Sequence, residues 1–192
     1  MPEFTKKKNV ILSVSRLGTH QKATDVLMNS FARIADQLPD WVLRLVGPVA
    51  DDFQPFIEKY FEQYPHLCSR VQIAGMVVDR VELQKEFETA KVYAMPSRWE
   101  GGAPNVISQA LTGGCAMAVT KFDDWSDCID SGRCGVVTDI DDVVGFSEKL
   151  LELCQSDQLE TLCRNAFEYG VKNYDTKKIV DHIYTLLFGG EE

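Results

Sequence analysis

Two cations, Arg16 and Lys22, stand in one short stretch, Ser15-Arg16-Leu17-Gly18-Thr19-His20-Gln21-Lys22, directly after an apolar run. Arg offers a planar fork of donors and Lys a compact point charge, a pair suited to a diphosphate. An ordinary solvated loop carries the same residue types. A second stretch, Pro96-Ser97-Arg98-Trp99-Glu100-Gly101-Gly102-Ala103-Pro104-Asn105-Val106, places an acid before two glycines. Gly101 and Gly102 let the backbone approach a ligand closely, and Pro104 suits the first turn of a following helix. Free N–H groups at a helix start form a ready phosphate site; a tight strand-to-helix turn that holds nothing uses the same residues. Glu100 is a lone carboxylate able to accept hydrogen bonds from sugar hydroxyls. Gln109 follows nine residues on, about two and a half turns later if the helix starts near Glu100. It faces either the same crevice or solvent, as a helix-surface amide.

Other chemistries find less support. His20, His66 and His182 are scattered, with no Cys or carboxylate at metal-ligand spacing. No two of Cys68, Cys115, Cys128, Cys134, Cys154 and Cys163 have the separation of a zinc knuckle, so reduced, mostly buried thiols are expected. Gly-x-Ser-x-Gly, the P-loop pattern and Gly-x-Gly-x-x-Gly after the first strand are all absent, which disfavours hydrolase, P-loop NTPase and nicotinamide dehydrogenase readings. Trp99 and Trp125 are either ligand walls or core anchors.

The elements that must position these residues alternate in type. Short β-type runs at Asn9–Ser15, Trp41–Val46, Val71–Ala74, Val92–Met95, Cys115–Thr120 and Gly135–Thr138 are separated by stretches with helical periodicity. One helix carries Leu27, Phe31, Ile34, Ala35 and Leu38 on a face, another spans Asp51 to about Tyr64, a third carries Leu83, Phe87 and Ala90, and a fourth runs from Pro104 to about Leu111. The last fifty residues hold three apolar stripes: Val143, Phe146, Leu150 and Leu153; Leu159, Leu162, Cys163 and Phe167; and Ile179, Ile183 and Leu187. This alternation predicts an α/β, Rossmann-like, doubly wound parallel sheet of about six strands with C-terminal helices. Ligands of such sheets bind beyond the carboxyl ends of the strands, so functional residues are expected just after Ser15, Val46, Ala74, Met95 and Thr120.

The chain has 192 residues, a formal charge of −9 and 45% hydrophobic residues. That composition supports one folded domain over residues 9–188, with a solvated basic tail at 1–8 and an acidic one at 189–192. The acidic balance argues against non-specific nucleic-acid binding, which needs many Lys/Arg contacts. There is no transmembrane or signal-peptide run, so a soluble, cytoplasmic location is expected.

Five motifs in order resemble a known family. They are Ser15-Arg16-Leu17 with Lys22; Ile73-Ala-Gly75 with Leu83; Ala94-Met-Pro-Ser-Arg-Trp-Glu-Gly101, leading through Pro-Asn-Val to Gln109-Ala-Leu; Gly114-Cys-Ala-Met-Ala-Val-Thr120; and Gly132-Arg-Cys-Gly-Val-Val137. Together they are similar to the C-terminal half of the group 1, or family 4, GT-B glycosyltransferases, over about Asn9 to Leu187. The resemblance implies that this half binds a nucleoside-diphosphate-sugar donor. A separate N-terminal domain, not contained in this sequence, would bind the acceptor and would make any peripheral membrane contact. It implies a hexosyltransferase-type enzyme of polysaccharide or glycoconjugate biosynthesis that retains anomeric configuration, uses no metal or other cofactor, and is inactive as this half alone. Arg16 and Lys22 would bind the diphosphate and stabilise the leaving group, with Glu100 on the sugar or its phosphate. Gly75, Met76 and Val77 would lie against the base, and Gly101, Gly102, Asn105 and Val106 would cradle the phosphates.

The sequence departs from the family pattern twice. The usual Glu-x7-Glu becomes Glu100-x8-Gln109, placing an amide where the family has a ribose-binding acid; and Lys22-Ala23 replaces Lys-Gly. A non-catalytic partner-binding module, or half of a GT-B epimerase or phosphorylase, shares the same fold.

Overall fold

The computed structural model describes residues 2–102, 104–174 and 176–188. Six strands form one sheet: β1 (Lys8–Val14), β2 (Val42–Val46), β3 (Val71–Gly75), β4 (Ala90–Met95), β5 (Ala116–Thr120) and β6 (Gly135–Thr138). All neighbouring pairs are parallel, and the order is β3-β2-β1-β4-β5-β6. Parallel neighbours require crossovers, and these are α1 (Thr24–Ile34), α2 (Gln54–Gln63), α3 (Arg80–Thr89), α4 (Asn105–Thr112) and the short α5 (Trp125–Cys128). The chain then runs through α6 (Val143–Gln155), α7 (Leu159–Asn173) and α8 (Thr176–Phe188).

The strands are almost continuously apolar because both sheet faces are covered. Alternate residues serve two cores: Ile11, Leu43, Leu45, Val92, Ala94, Ala116 and Ala118 point to the side of α1, α2 and α6, whereas Leu12, Tyr93, Met95, Met117 and Val119 point to the side of α3, α4 and α5. The fold matches the α/β expectation, with strand bounds displaced by two residues at most. Ala90, expected on a helix face, is instead the first residue of β4.

The opening segment differs from the expected solvated tail. Phe4 and Lys7 are buried, Phe4–Lys6 forms a 3-10 turn, and Phe4 packs edge-on to Phe167 of α7 at 6.0 Å. An aromatic with an apolar site within reach gains more from burial than from solvation. The segment 189–192 lies outside the described residues. On α8, whose Ile179 side chain also lies outside them, Ile183, Tyr184, Leu186, Leu187 and Phe188 are exposed. The cysteines are free thiols, all buried except Cys68, and burial pushes Cys115 and Cys134 up to about 12. No helix among the described residues is long and apolar enough to cross a membrane.

Candidate functional site

The strand-end residues converge because strand order places β1 beside β4 at the middle of the sheet. The chain leaves β1 through Ser15-Arg16-Leu17, which runs beside the β2 exit: the Ser15 N–H donates to the Val46 carbonyl at 3.0 Å and the Leu17 N–H to the Pro48 carbonyl at 2.8 Å. Gly47 makes this approach possible. Its φ is +136°, and a Cβ there would lie 1.8 Å from the Ser15 carbonyl oxygen. The Gly18 N–H then donates to Thr24 Oγ1 at 2.9 Å, and the loop enters α1 through a 3-10 turn at His20–Lys22. Ala23, the N-cap of α1, sits at φ 47°, ψ 43° and is fully buried. An alanine thus occupies a left-handed turn, at a cost of about 1 kcal/mol.

Lys22 meets Glu100 at the centre of the edge. Its Nζ donates to Glu100 Oε1 at 2.5 Å, with the two side chains only 14% and 4% exposed. A carboxylate so buried would be costly without a cation, and the ion pair provides one. Arg16 lies outside the pair, exposed, with Nη2 donating to Gln21 Oε1 at 3.0 Å. The loop after Glu100 turns through Gly102 at φ +98°, and among the described residues outside the immediate chain neighbours no atom lies within reach of a Cβ added at Gly101 or Gly102. Open space and permissive backbone coincide on the site's own side.

The helix beyond does not begin near Glu100. Pro104 is extended, at φ −68° and ψ 146°, and α4 starts at Asn105 with no side-chain cap. The two glycines and the proline delay helix nucleation by five residues, so Gln109 occupies the second turn, directly below Asn105 at an i, i+4 spacing. Helical side chains tilt toward the N-terminus, and Gln109 is half-buried, with no side-chain hydrogen bond among the described residues. The uncapped N-terminus of α4 keeps its positive dipole end free for an anion.

Gly75, Met76 and Val77 follow β3, the edge strand, at the far end of the row. Gly75 adopts φ +69° and its carbonyl accepts from the Gly47 N–H at 2.8 Å, while Met76 is 65% exposed. Two strand spacings, about 10 Å, separate this loop from the β1 exit, so the edge is an open row rather than one cluster. Trp99 stands on the surface, its ring 5.5 Å from that of His20, whereas Trp125 packs on the core. No group of three or more His, Cys, Asp or Glu among the described residues is arranged to hold a metal ion.

Arg98, just past the end of β4, also belongs to this edge. Its side chain, 14% exposed, donates from Nε to Asp141 Oδ1 at 2.6 Å and from Nη1 to the His20 carbonyl at 2.6 Å. Its acidic partner comes from the run Asp139-Ile-Asp-Asp142 at the close of β6, two strands away from the β4 exit. Ser97 and Thr138, at the same edge, keep buried hydroxyls with no partner among the described residues.

This fold, a six-stranded all-parallel sheet flanked by helices, is that of the GT-B glycosyltransferase domains. The chain aligns with the pneumococcal O-GlcNAc transferase GtfA, solved with UDP and GlcNAc, at a TM-score of 0.81 and 16% identity, covering 95% of this chain and 36% of that one. The Anabaena protein HepE, solved with UDP and glucose, aligns at 0.76 and 20% identity, over 96% of this chain and 49% of that one. The C-terminal domain of the group 1 glycosyltransferase LpcC from Francisella tularensis aligns at 0.76 and 16% identity, covering 90% and 89%. The chain therefore spans between about a third and half of the longer of these proteins. The sequence pattern described as "Glycosyl transferases group 1" matches residues 8–156, and the chain belongs to that family. No curated protein sequence matches it.

Proposed function

We propose that this chain is the donor-binding domain of a retaining, metal-independent glycosyltransferase of the hexosyltransferase type, taking its sugar from a nucleoside diphosphate. The observation that carries the reading is the buried Lys22–Glu100 pair, set between the exposed Arg16 and the uncapped N-terminus of α4. A diphosphate in this position meets two cations and a helix dipole, the preorganised positive field that a phosphate leaving group needs. Lys22 then turns from carboxylate to phosphate, and Glu100 is released toward the sugar hydroxyls. Gly101, Gly102, Asn105 and Val106 offer main-chain N–H groups, Gln109 an uncharged amide for the ribose, and Gly75, Met76 and Val77 a partly apolar seat for the base.

The acceptor is held by a second, N-terminal domain, and the exposed apolar side of α8 suits contact with such a lobe. This chain alone is expected to bind donor without robust transfer. We extend the reading to a cytoplasmic enzyme of polysaccharide or glycoconjugate assembly.

Calorimetric titration with UDP and GDP tests the proposal. Binding at millimolar concentration or tighter, lost in Arg16→Ala, supports it; no heat with either nucleotide at that concentration contradicts it. A second reading, a non-catalytic module that kept the fold, is favoured by one observation, the amide of Gln109 in place of an acid. Sugar transfer by the chain joined to its acceptor domain would remove that alternative.

A further inference from the structure

We infer that Arg98 is the positioning residue that locks the Lys22 loop to the Glu100 loop and so sets the geometry in which that pair meets a donor; the inference rests on the donor-site reading above. Arg98 follows the end of β4 and reaches across two neighbouring loops. Its Nη1 donates to the His20 carbonyl at 2.6 Å, and its own backbone N–H donates to the Gln21 carbonyl at 2.9 Å. Gln21 Nε2 returns the contact, donating to the Trp99 carbonyl at 3.1 Å. The two residues before Lys22 and the residue before Glu100 are therefore all held in cross-loop hydrogen bonds.

The third anchor comes from beyond β6. Asp141 adopts φ +61°, and its carboxylate accepts from Arg98 Nε at 2.6 Å, while Asp25 of α1 stands 3.5 Å from Nη2. A planar guanidinium spreads its donors over three nitrogens in a rigid fork and so spans acceptors on separate loops, whereas an ammonium presents its three donors from a single atom. None of these partners belongs to either hydrophobic core. The network joins loops to loops, so its loss displaces the ion pair while the sheet persists.

The test uses Arg98→Lys and Asp141→Asn in the full chain, Asn being tolerated in the left-handed region. Three readouts are taken: thermal unfolding, amide hydrogen exchange, and calorimetry with UDP and GDP. Both variants are expected to unfold cooperatively, with faster exchange at Gln21, Lys22 and Glu100. Nucleotide affinity is expected to fall between about tenfold and about a hundredfold in Arg98→Lys, the scale of an ångström-sized misplacement. Asp141→Asn, which removes one partly exposed ion pair, should weaken it about two- to fivefold. Wild-type exchange rates at those amides in both variants would overturn the clamp, whatever the nucleotides do. Loosened loops with unchanged affinity would overturn the positioning role. Loosened loops in a protein that binds neither nucleotide in its wild-type form would keep the clamp and overturn the donor-site reading instead.

Discussion

Lys7 and Lys22 lie at opposite ends of the same sheet, and their ammonium groups donate to different kinds of partner. Lys7, just before β1, donates from Nζ to the main-chain carbonyls of Phe87 at 3.1 Å and Ala90 at 2.7 Å, and Cys115 Sγ shares both acceptors at 3.0 and 3.5 Å. Lys22, beyond the other end of β1, is held among the described residues by the Glu100 carboxylate alone. Main-chain carbonyls cannot leave, so the Lys7 cation is committed to joining the opening segment to β4. A side-chain carboxylate can rotate away and release its cation to a ligand. Burial with fixed partners makes a structural lysine, whereas burial with one movable partner makes an available one.

The largest effect that sharpens this contrast is expected at the carboxyl edge. Lys22→Ala should weaken UDP or GDP binding by about 2 kcal/mol, roughly thirtyfold in Kd by calorimetry, the loss of a charge-assisted hydrogen bond. Lys7→Met should leave nucleotide affinity unchanged and lower the free energy of urea unfolding by about 1.5–2 kcal/mol, since two buried carbonyls lose a charged donor. An effect of Lys7→Met on nucleotide affinity comparable to that of Lys22→Ala would break the comparison.

Alkaline pH titrates several buried thiols, and substitution at Cys115 isolates the share of the amino edge. Burial raises Cys115 from 9.0 to about 12, so above pH 9 the unfolded chain releases a proton that the folded chain keeps, and stability falls. Between pH 9 and 10 this thiol alone removes about 1 kcal/mol. Lys7 acts in the opposite sense: desolvation lowers its value below 10.5, so the charged form is penalised in the fold and stability rises with pH between that lowered value and 10.5. Cys115→Ala should therefore flatten the alkaline decline in urea midpoints, and Lys7→Met should steepen it. The smallest effect concerns the turn that delivers Lys22. Ala23→Gly relieves a left-handed alanine and should raise the melting temperature, by an amount equivalent to about 0.5 kcal/mol after the entropy that glycine adds to the unfolded chain.

The strands were legible in the sequence because a parallel sheet covered on both faces writes itself as short runs of Val, Ile and Leu. The positions of Arg16, Lys22, Gly75 and Glu100 followed from those runs, since strand ends fix where the loops emerge. Lys7 was hidden because it sits in the run Lys6-Lys7-Lys8, whose composition reads as a solvated tail; only the register of β1 against β4 shows that its ammonium reaches the Phe87 and Ala90 carbonyls. Arg98 was hidden for a related reason. Its partners lie 43 and 78 residues away in sequence, and local patterns carry no information about which distant loops share an edge. The start of α4 was legible to within one residue, but counting helical turns to Gln109 from Glu100 ignored Gly101, Gly102 and Pro104, which keep the intervening chain out of the helix.

The central claim is that the carboxyl edge between β1 and β4 holds a nucleoside diphosphate. A crystal structure of the chain grown with UDP or GDP tests it most directly. The expected result places the diphosphate against Arg16, Lys22 and the N-terminus of α4, with the base beside Gly75–Val77 and the Lys22–Glu100 contact opened. A nucleotide bound elsewhere on the chain, or one bound at this edge with the Lys22–Glu100 pair still closed, would contradict the account.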